Sequence, residues 1–208
     1  MSPSPSGSLP VGQHFTTANG RNGVVGALLG AGGQGEAYEV QLEGLTLALK
    51  WYHSHYIGID TGLRTRLETA VRRGAPTGNF LWPIDMVSVP GHPSFGYLMP
   101  LRAERYTSIR DLIAPPPDRL ELTLAQRGLV CLQLAESFLE LHASGFCYQD
   151  INFGNIFLDP ESAAILICDI RRRHAFDQHA ARLRRVKPQQ QLKHRAFACA
   201  CSANQQKL

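Results

Sequence analysis

Apolar and polar positions change rhythm several times along the chain, and each rhythm predicts an element. Residues 24–29 (VVGALL) form an apolar run, and residues 37–42 (AYEVQL) alternate with the period of two that turns one side of a strand inward. Residues 45–52 (LTLALKWY) read as a third strand. The links between them are short, a glycine cluster at 30–35 and then Glu43-Gly44, so the three should form an antiparallel meander. Leu63, Leu67, Ala70 and Val71 then recur at the spacing of one helical face. That predicts a helix from a cap at Asp60 to about Arg73, stopped by Gly74-Ala75-Pro76. Two more strands are expected around 83–89 and 95–99, parted by Pro90-Gly91-His92-Pro93. Pro115-Pro116-Pro117 is a connector. The longest helical pattern runs from Thr123 to about Ala143, with Leu124, Leu134, Phe138 and Leu141 among its apolar positions and Ser144-Gly145 at its end. Residues 156–158 and 164–168 form a short hairpin, and no internal repeat is present.

The two ends fit none of these patterns. Residues 1–20, rich in Ser, Pro and Gly most strongly through Gln13, are expected to be a disordered leader. Residues 171–208 hold ten Lys or Arg against one acid, whereas the rest of the chain holds eleven against sixteen. The net charge of +4 therefore describes a basic tail, expected to be disordered, on an acidic body. It gives no reason to expect the body to bind nucleic acid. The apolar fraction of 44% suits a globular core, and no apolar run nears the ~18–20 residues of a membrane span. The first twenty residues carry neither the Lys or Arg nor the apolar stretch of a secretory signal. Five cysteines are too scattered for a disulfide framework or a four-ligand zinc site. These observations predict a cytoplasmic protein without a membrane partner.

Candidate chemistry begins in the glycine cluster. Gly30-Ala31-Gly32-Gly33-Gln34-Gly35 is a G-x-G-x-x-G, whose glycines let backbone N–H groups approach phosphate oxygens. A dinucleotide-binding version opens a helix; here a strand follows, so the loop sits on a hairpin. Lys50 ends the element Leu47-Ala48-Leu49-Lys50 on the next strand and reads equally as a phosphate ligand or a solvated strand-end lysine. A hundred residues on, Cys147-Tyr148-Gln149-Asp150-Ile151-Asn152-Phe153-Gly154-Asn155 has D-x-x-x-x-N spacing after a long helix and before a β-hairpin. That hairpin ends in Ile167-Cys168-Asp169-Ile170.

Over about residues 22–170 this order resembles the protein kinase superfamily, nearest to the bacterial Ser/Thr type. The resemblance implies an α+β, protein-kinase-like fold. Its five-stranded antiparallel N-lobe, with one helix, would span about 21–100, and an incomplete helical C-lobe about 101–170. It implies ATP and Mg²⁺ as cofactors and phosphoryl transfer to a protein Ser or Thr hydroxyl, on a substrate the residues do not specify. Gly30, Gly32 and Gly35 would meet the phosphates, Val40 and Ala48 would cover the purine, and Met99-Pro100-Leu101 would be the hinge against adenine. Lys50 would hold the α/β-phosphates with Glu68 as its partner, Asp150 would serve the hydroxyl, and Asn155 with Asp169 would hold the metal. For Glu68 the alternative is an i,i+4 pair with Arg72 on a solvated face.

Three departures accompany the resemblance. Tyr148-Gln149 replaces His-Arg before Asp150, which removes the arginine that reads an activation-loop phosphate. Asp169-Ile170-Arg171 replaces D-F-G and sets an arginine beside the metal position. Past Ile170 no kinase pattern continues, so the expectation is a truncated domain whose long helix exposes an apolar stripe. An inactive nucleotide-binding fragment or interaction module is the alternative to an active kinase.

Overall fold

In a computed structural model, the structure describes residues 7–148 and 151–168, all within one compact unit, Met1–Arg173. The leader before residue 7, the tail over 171–208, and the positions of Gln149, Asp150 and Asp169 lie outside the described residues.

The meander forms as its pattern predicts. Strands β2 (Asn22–Gly32), β3 (Gly35–Leu42) and β4 (Leu45–Tyr52) run antiparallel in sequence order. Glu43 and Gly44 both take positive φ, 52° and 81°, the conformation of a two-residue type I′ turn. Strands β5 (Asp85–Ser88) and β6 (Gly96–Pro100) complete the expected five. The structure adds a sixth, β1 (His14–Thr17), inside the stretch expected to be a disordered leader. It pairs with β2 on one side and with β5 on the other, closing a barrel in the order β1-β2-β3-β4-β6-β5. Four residues cannot show this by their own alternation; the closing pairs Thr16–Ser88 and Thr17–Val87 make them a strand. The ordering begins earlier still, with Leu9 buried among Phe15, Val25, Val40, Leu49 and Trp51 inside the barrel.

The expected helix is present as α2 (Leu63–Arg73), and a short helix that was not expected, α1 (Ser54–Ile59), precedes it. Asp60 does not cap the longer one. The N-cap is Gly62, without a side-chain bond. Asp60 instead ends α1, its N–H donating to Tyr56, and its carboxylate accepts from the Arg66 guanidinium. The apolar face of α2 is the expected one: Leu63, Leu67 and Ala70 are buried. Leu63 and Leu67 cover Tyr52, Met86, Phe95 and Tyr97 on the outside of the barrel.

The lower half is built on α3 (Leu124–Ala143), with Thr123 and Gln126 forming a reciprocal capping box. A small sheet, β7 (Thr107–Ser108), β8 (Ile156–Leu158) and β9 (Ile165–Ile167), packs on it, and a 3₁₀ turn at Ile109–Ile113 follows β7. Leu141 meets Leu158, Ile165 and Ile167 in the core between them. Trp82 belongs to this core and donates its indole N–H to Ala70 of α2 at 2.9 Å, tying the two halves together. Leu134 and Phe138 pack against the core as expected, but Leu124 is solvent-exposed, as are Leu129, Leu132 and Leu139. Among the described residues, α3 therefore carries an exposed leucine stripe, and no helix is long and apolar enough to cross a membrane.

Candidate active site

The glycine motif is built into a hairpin. β2 continues to Gly32 and β3 starts at Gly35, so Gly33-Gln34 alone make the turn. Its glycines are not equivalent. A Cβ added at Gly30, Gly32 or Gly33 would meet nothing within 4 Å, so the hairpin is open to a bound group there. A Cβ at Gly35 would stand 2.0 Å from the carbonyl oxygen of Trp51, so this glycine is required for strand packing. The tip is fastened to the end of β4: the His53 N–H donates to the Gln34 carbonyl at 2.9 Å, and His53 Nε2 lies 3.2 Å from the Gly32 carbonyl oxygen.

Strand register sets what lies beneath this hairpin. Gly30 pairs with Ala37, Ala37 with Lys50, and Lys50 with Tyr97. Directly paired residues share a sheet face, so these four form one row across β2, β3, β4 and β6. The neighbouring pairs on that face are Glu39–Ala48 and Ala48–Met99. Ala48 is buried, while Lys50, Met99 and Leu101, just beyond β6, are half-buried. Gly30, Gly32, Ala48, Lys50 and Met99 thus come to one region.

Val40 does not. It is fully buried inside the barrel with Leu42, Leu49 and Leu98. Three residues from Ala37, it falls on the opposite side of the strand, because side chains alternate with a period of two. The position opposite Lys50 belongs to Ala37, two residues past the last glycine of the motif, and that spacing was the signal that marks it. Glu68 also departs from expectation. Its carboxylate accepts from Arg64 Nε at 3.1 Å, one turn earlier on α2, with both side chains about half exposed (59% and 46%). This is an i,i+4 surface pair, with Arg64 in place of Arg72.

Described residues at both ends of the segment from Cys147 to Asn155 meet one residue, Cys168. The buried Tyr148 donates its hydroxyl to the Cys168 carbonyl at 2.7 Å. From the other end of the loop, the Asn155 carbonyl accepts from the Cys168 N–H at 2.9 Å. The residue immediately before Asp169 is therefore held at both its backbone groups. The loop itself is shaped by Asn152, whose Oδ1 accepts from the Gly154 N–H at 2.8 Å, and by Ser108, which donates to the Phe153 carbonyl at 3.0 Å. β9 is tied to the segment after α2 by Ile167, which donates to Asn79 at 2.7 Å and accepts from Leu81 at 2.9 Å. Asn155 is the described member of the expected metal pair. Among the described residues, no group of three or more His, Cys, Asp or Glu side chains is gathered as if around a metal.

No protein-family model matches the chain. Among curated proteins, it is 38% identical over 52 residues to "Protein kinase MCK1" of Saccharomyces cerevisiae and 37% identical over 51 residues to "Protein kinase gsk3" of Schizosaccharomyces pombe. Those segments are 25% and 24% of this chain but only 14% and 13% of the relatives. Among solved structures, the Mycobacterium tuberculosis PknI kinase domain superposes with a TM-score of 0.58 at 23% identity, over 78% of this chain and 61% of that one. Rad53 in complex with AMP-PNP gives 0.58 at 13% identity, over 75% of this chain and 38% of that one. Vaccinia related kinase 3 gives 0.53 at 17%, over 82% and 53%.

Proposed function

We propose that this chain, whose fold is that of the protein kinases, binds MgATP on the outer face of β2, β3 and β4 and serves phosphoryl transfer to a protein Ser or Thr hydroxyl. The observation that supports this most is the row Gly30–Ala37–Lys50 beneath a hairpin whose other glycines leave open space. Bound MgATP supplies the γ-phosphoryl group and a divalent charge. The chain's own part is positioning and charge stabilisation. Backbone N–H groups around Gly30, Gly32 and Gly35 would meet phosphate oxygens, and Lys50 would neutralise the α/β-phosphates. Ala37 and Ala48 leave room for a purine ring, against which Met99 and Leu101 would pack. Asp150 would orient the acceptor hydroxyl and take its proton, while Asn155 and Asp169 would hold Mg²⁺. The bonds that Tyr148 and Asn155 make with Cys168 hold the residue that precedes Asp169 in the chain.

A second reading is favoured by the Arg64–Glu68 pair: nucleotide binding without transfer, because Arg64 engages Glu68 on the surface of α2. A γ-phosphate transfer assay on a generic basic protein, with Asp150→Ala as control, separates the two. Turnover lost in Asp150→Ala supports transfer; nucleotide binding without turnover supports the second reading. Neither binding nor turnover refutes both.

A further inference from the structure

We propose that residues 7–9 form a clasp that fixes the Gly-rich hairpin from outside the motif, with Glu36 and Tyr38 as its positioning residues. Glu36 follows Gly35, the last glycine of the motif, and is buried at the end of the barrel. Three donors converge on its Oε2: the Ser8 N–H at 2.9 Å, the Ser8 hydroxyl at 2.5 Å, and the Tyr38 hydroxyl. Tyr38 in turn accepts from the Leu9 N–H at 3.0 Å, so two consecutive residues of the N-terminal segment grip two residues of β3. The Leu9 side chain plugs the barrel beside them. Contact with Tyr38 is close enough that a Cβ at Gly7 would lie 2.2 Å from its hydroxyl oxygen.

These contacts are charge-assisted. Burial pulls the Glu36 pKa up, but the bonds from the Ser8 hydroxyl, Tyr38 and the Ser8 N–H, with His53 nearby, outweigh it and hold the carboxyl below its ordinary value. A charged acceptor buried with three donors holds its geometry tightly, because losing any donor leaves part of that charge unsatisfied. His53 fastens the tip of the same hairpin from the β4 side. The hairpin is thus anchored at both ends, and the anchor at Glu36 depends on a segment that precedes the first strand. Ser8 is itself exposed, so it can be changed without opening the core.

The consequence for nucleotide rests on the proposed function; the consequence for the hairpin does not. The experiment is hydrogen exchange over residues 30–36 of the full chain, alongside MgATP titration, for wild type, Ser8→Ala, Ser8→Asp and Ser8→Thr. Ser8→Ala should speed exchange in the hairpin roughly tenfold, the scale of one lost bond to a charged group. Ser8→Asp should speed it further by placing a second carboxylate on Glu36, and Ser8→Thr should restore it. Gly7→Ala, whose methyl would press on the Tyr38 hydroxyl and displace the segment, should act like Ser8→Ala. MgATP affinity should fall in the same order. Unchanged hairpin exchange in Ser8→Ala and Ser8→Asp, or equal acceleration throughout the barrel, overturns the clasp. Faster local exchange with unchanged MgATP affinity overturns the positioning role. A wild type that binds no MgATP refutes the proposed function instead, and the exchange result alone then decides the clasp.

Discussion

The four glycines of the loop should respond to alanine with opposite signs. At Gly30, Gly32 and Gly33 the added methyl meets nothing within 4 Å, and none of them has the positive φ that excludes a side chain. Alanine there restricts the unfolded chain and should stabilise by ~0.4–1 kcal/mol. At Gly35 the methyl would sit 2.0 Å from the Trp51 carbonyl oxygen and 2.9 Å from Tyr52 Cα, both backbone atoms of β4 that no rotamer change can relieve. Overpacking of this kind costs ~1–3 kcal/mol, so Gly35→Ala should lose about 2 kcal/mol, or ~4–8 °C in Tm for a domain of this size. Ligand binding should split the other way: Gly32→Ala should weaken MgATP on the order of tenfold, one lost phosphate hydrogen bond, while folding at least as well as wild type. Urea unfolding with a fitted m-value and calorimetric titration measure the two separately. Equal destabilisation by Gly32→Ala and Gly35→Ala would refute the steric reasoning.

Two further outcomes follow from the hydrogen bonds. Tyr148→Phe removes the donor to the Cys168 carbonyl and should cost ~1–2 kcal/mol in urea unfolding; a loss under ~0.3 kcal/mol would mean that this bond does not secure the segment before Asp169. Glu36, held below its ordinary pKa, contributes stability that is full above the unfolded carboxyl value of ~4.3 and is lost as pH falls through the lower folded value. Stability measured between pH 6 and about pH 3 should therefore fall less steeply in Glu36→Gln than in wild type, and parallel curves would count against a charged Glu36.

Elements whose pattern is local were legible in the sequence. The bounds of β4 match the reading residue for residue, because a turn and an aromatic pair frame the alternating run. Thr123 likewise marks the start of α3, since its cap needs only Gln126 three residues on. What escaped is set by partners distant in sequence. β1 is a strand through β5, some seventy residues away, and α1 fully buries none of its six residues, so it leaves no apolar period to find. In the site, Gly30, Lys50 and Met99 are placed together by register that alternation already implies. Val40 and Glu68 failed for a different reason: being apolar or acidic at about the right distance does not settle which side of a strand or helix a residue occupies. The clasp on Glu36 was hidden because Ser8 lies in a Ser/Pro/Gly-rich stretch whose composition reads as disorder.

The central claim is that the Gly30–Ala37–Lys50 face is a nucleotide site. Calorimetric titration of the full chain with MgATP, compared with Lys50→Met, tests it most directly. Wild type should bind saturably, and the variant should show a clear loss of affinity. No heat of binding, or the same affinity in Lys50→Met, would contradict it.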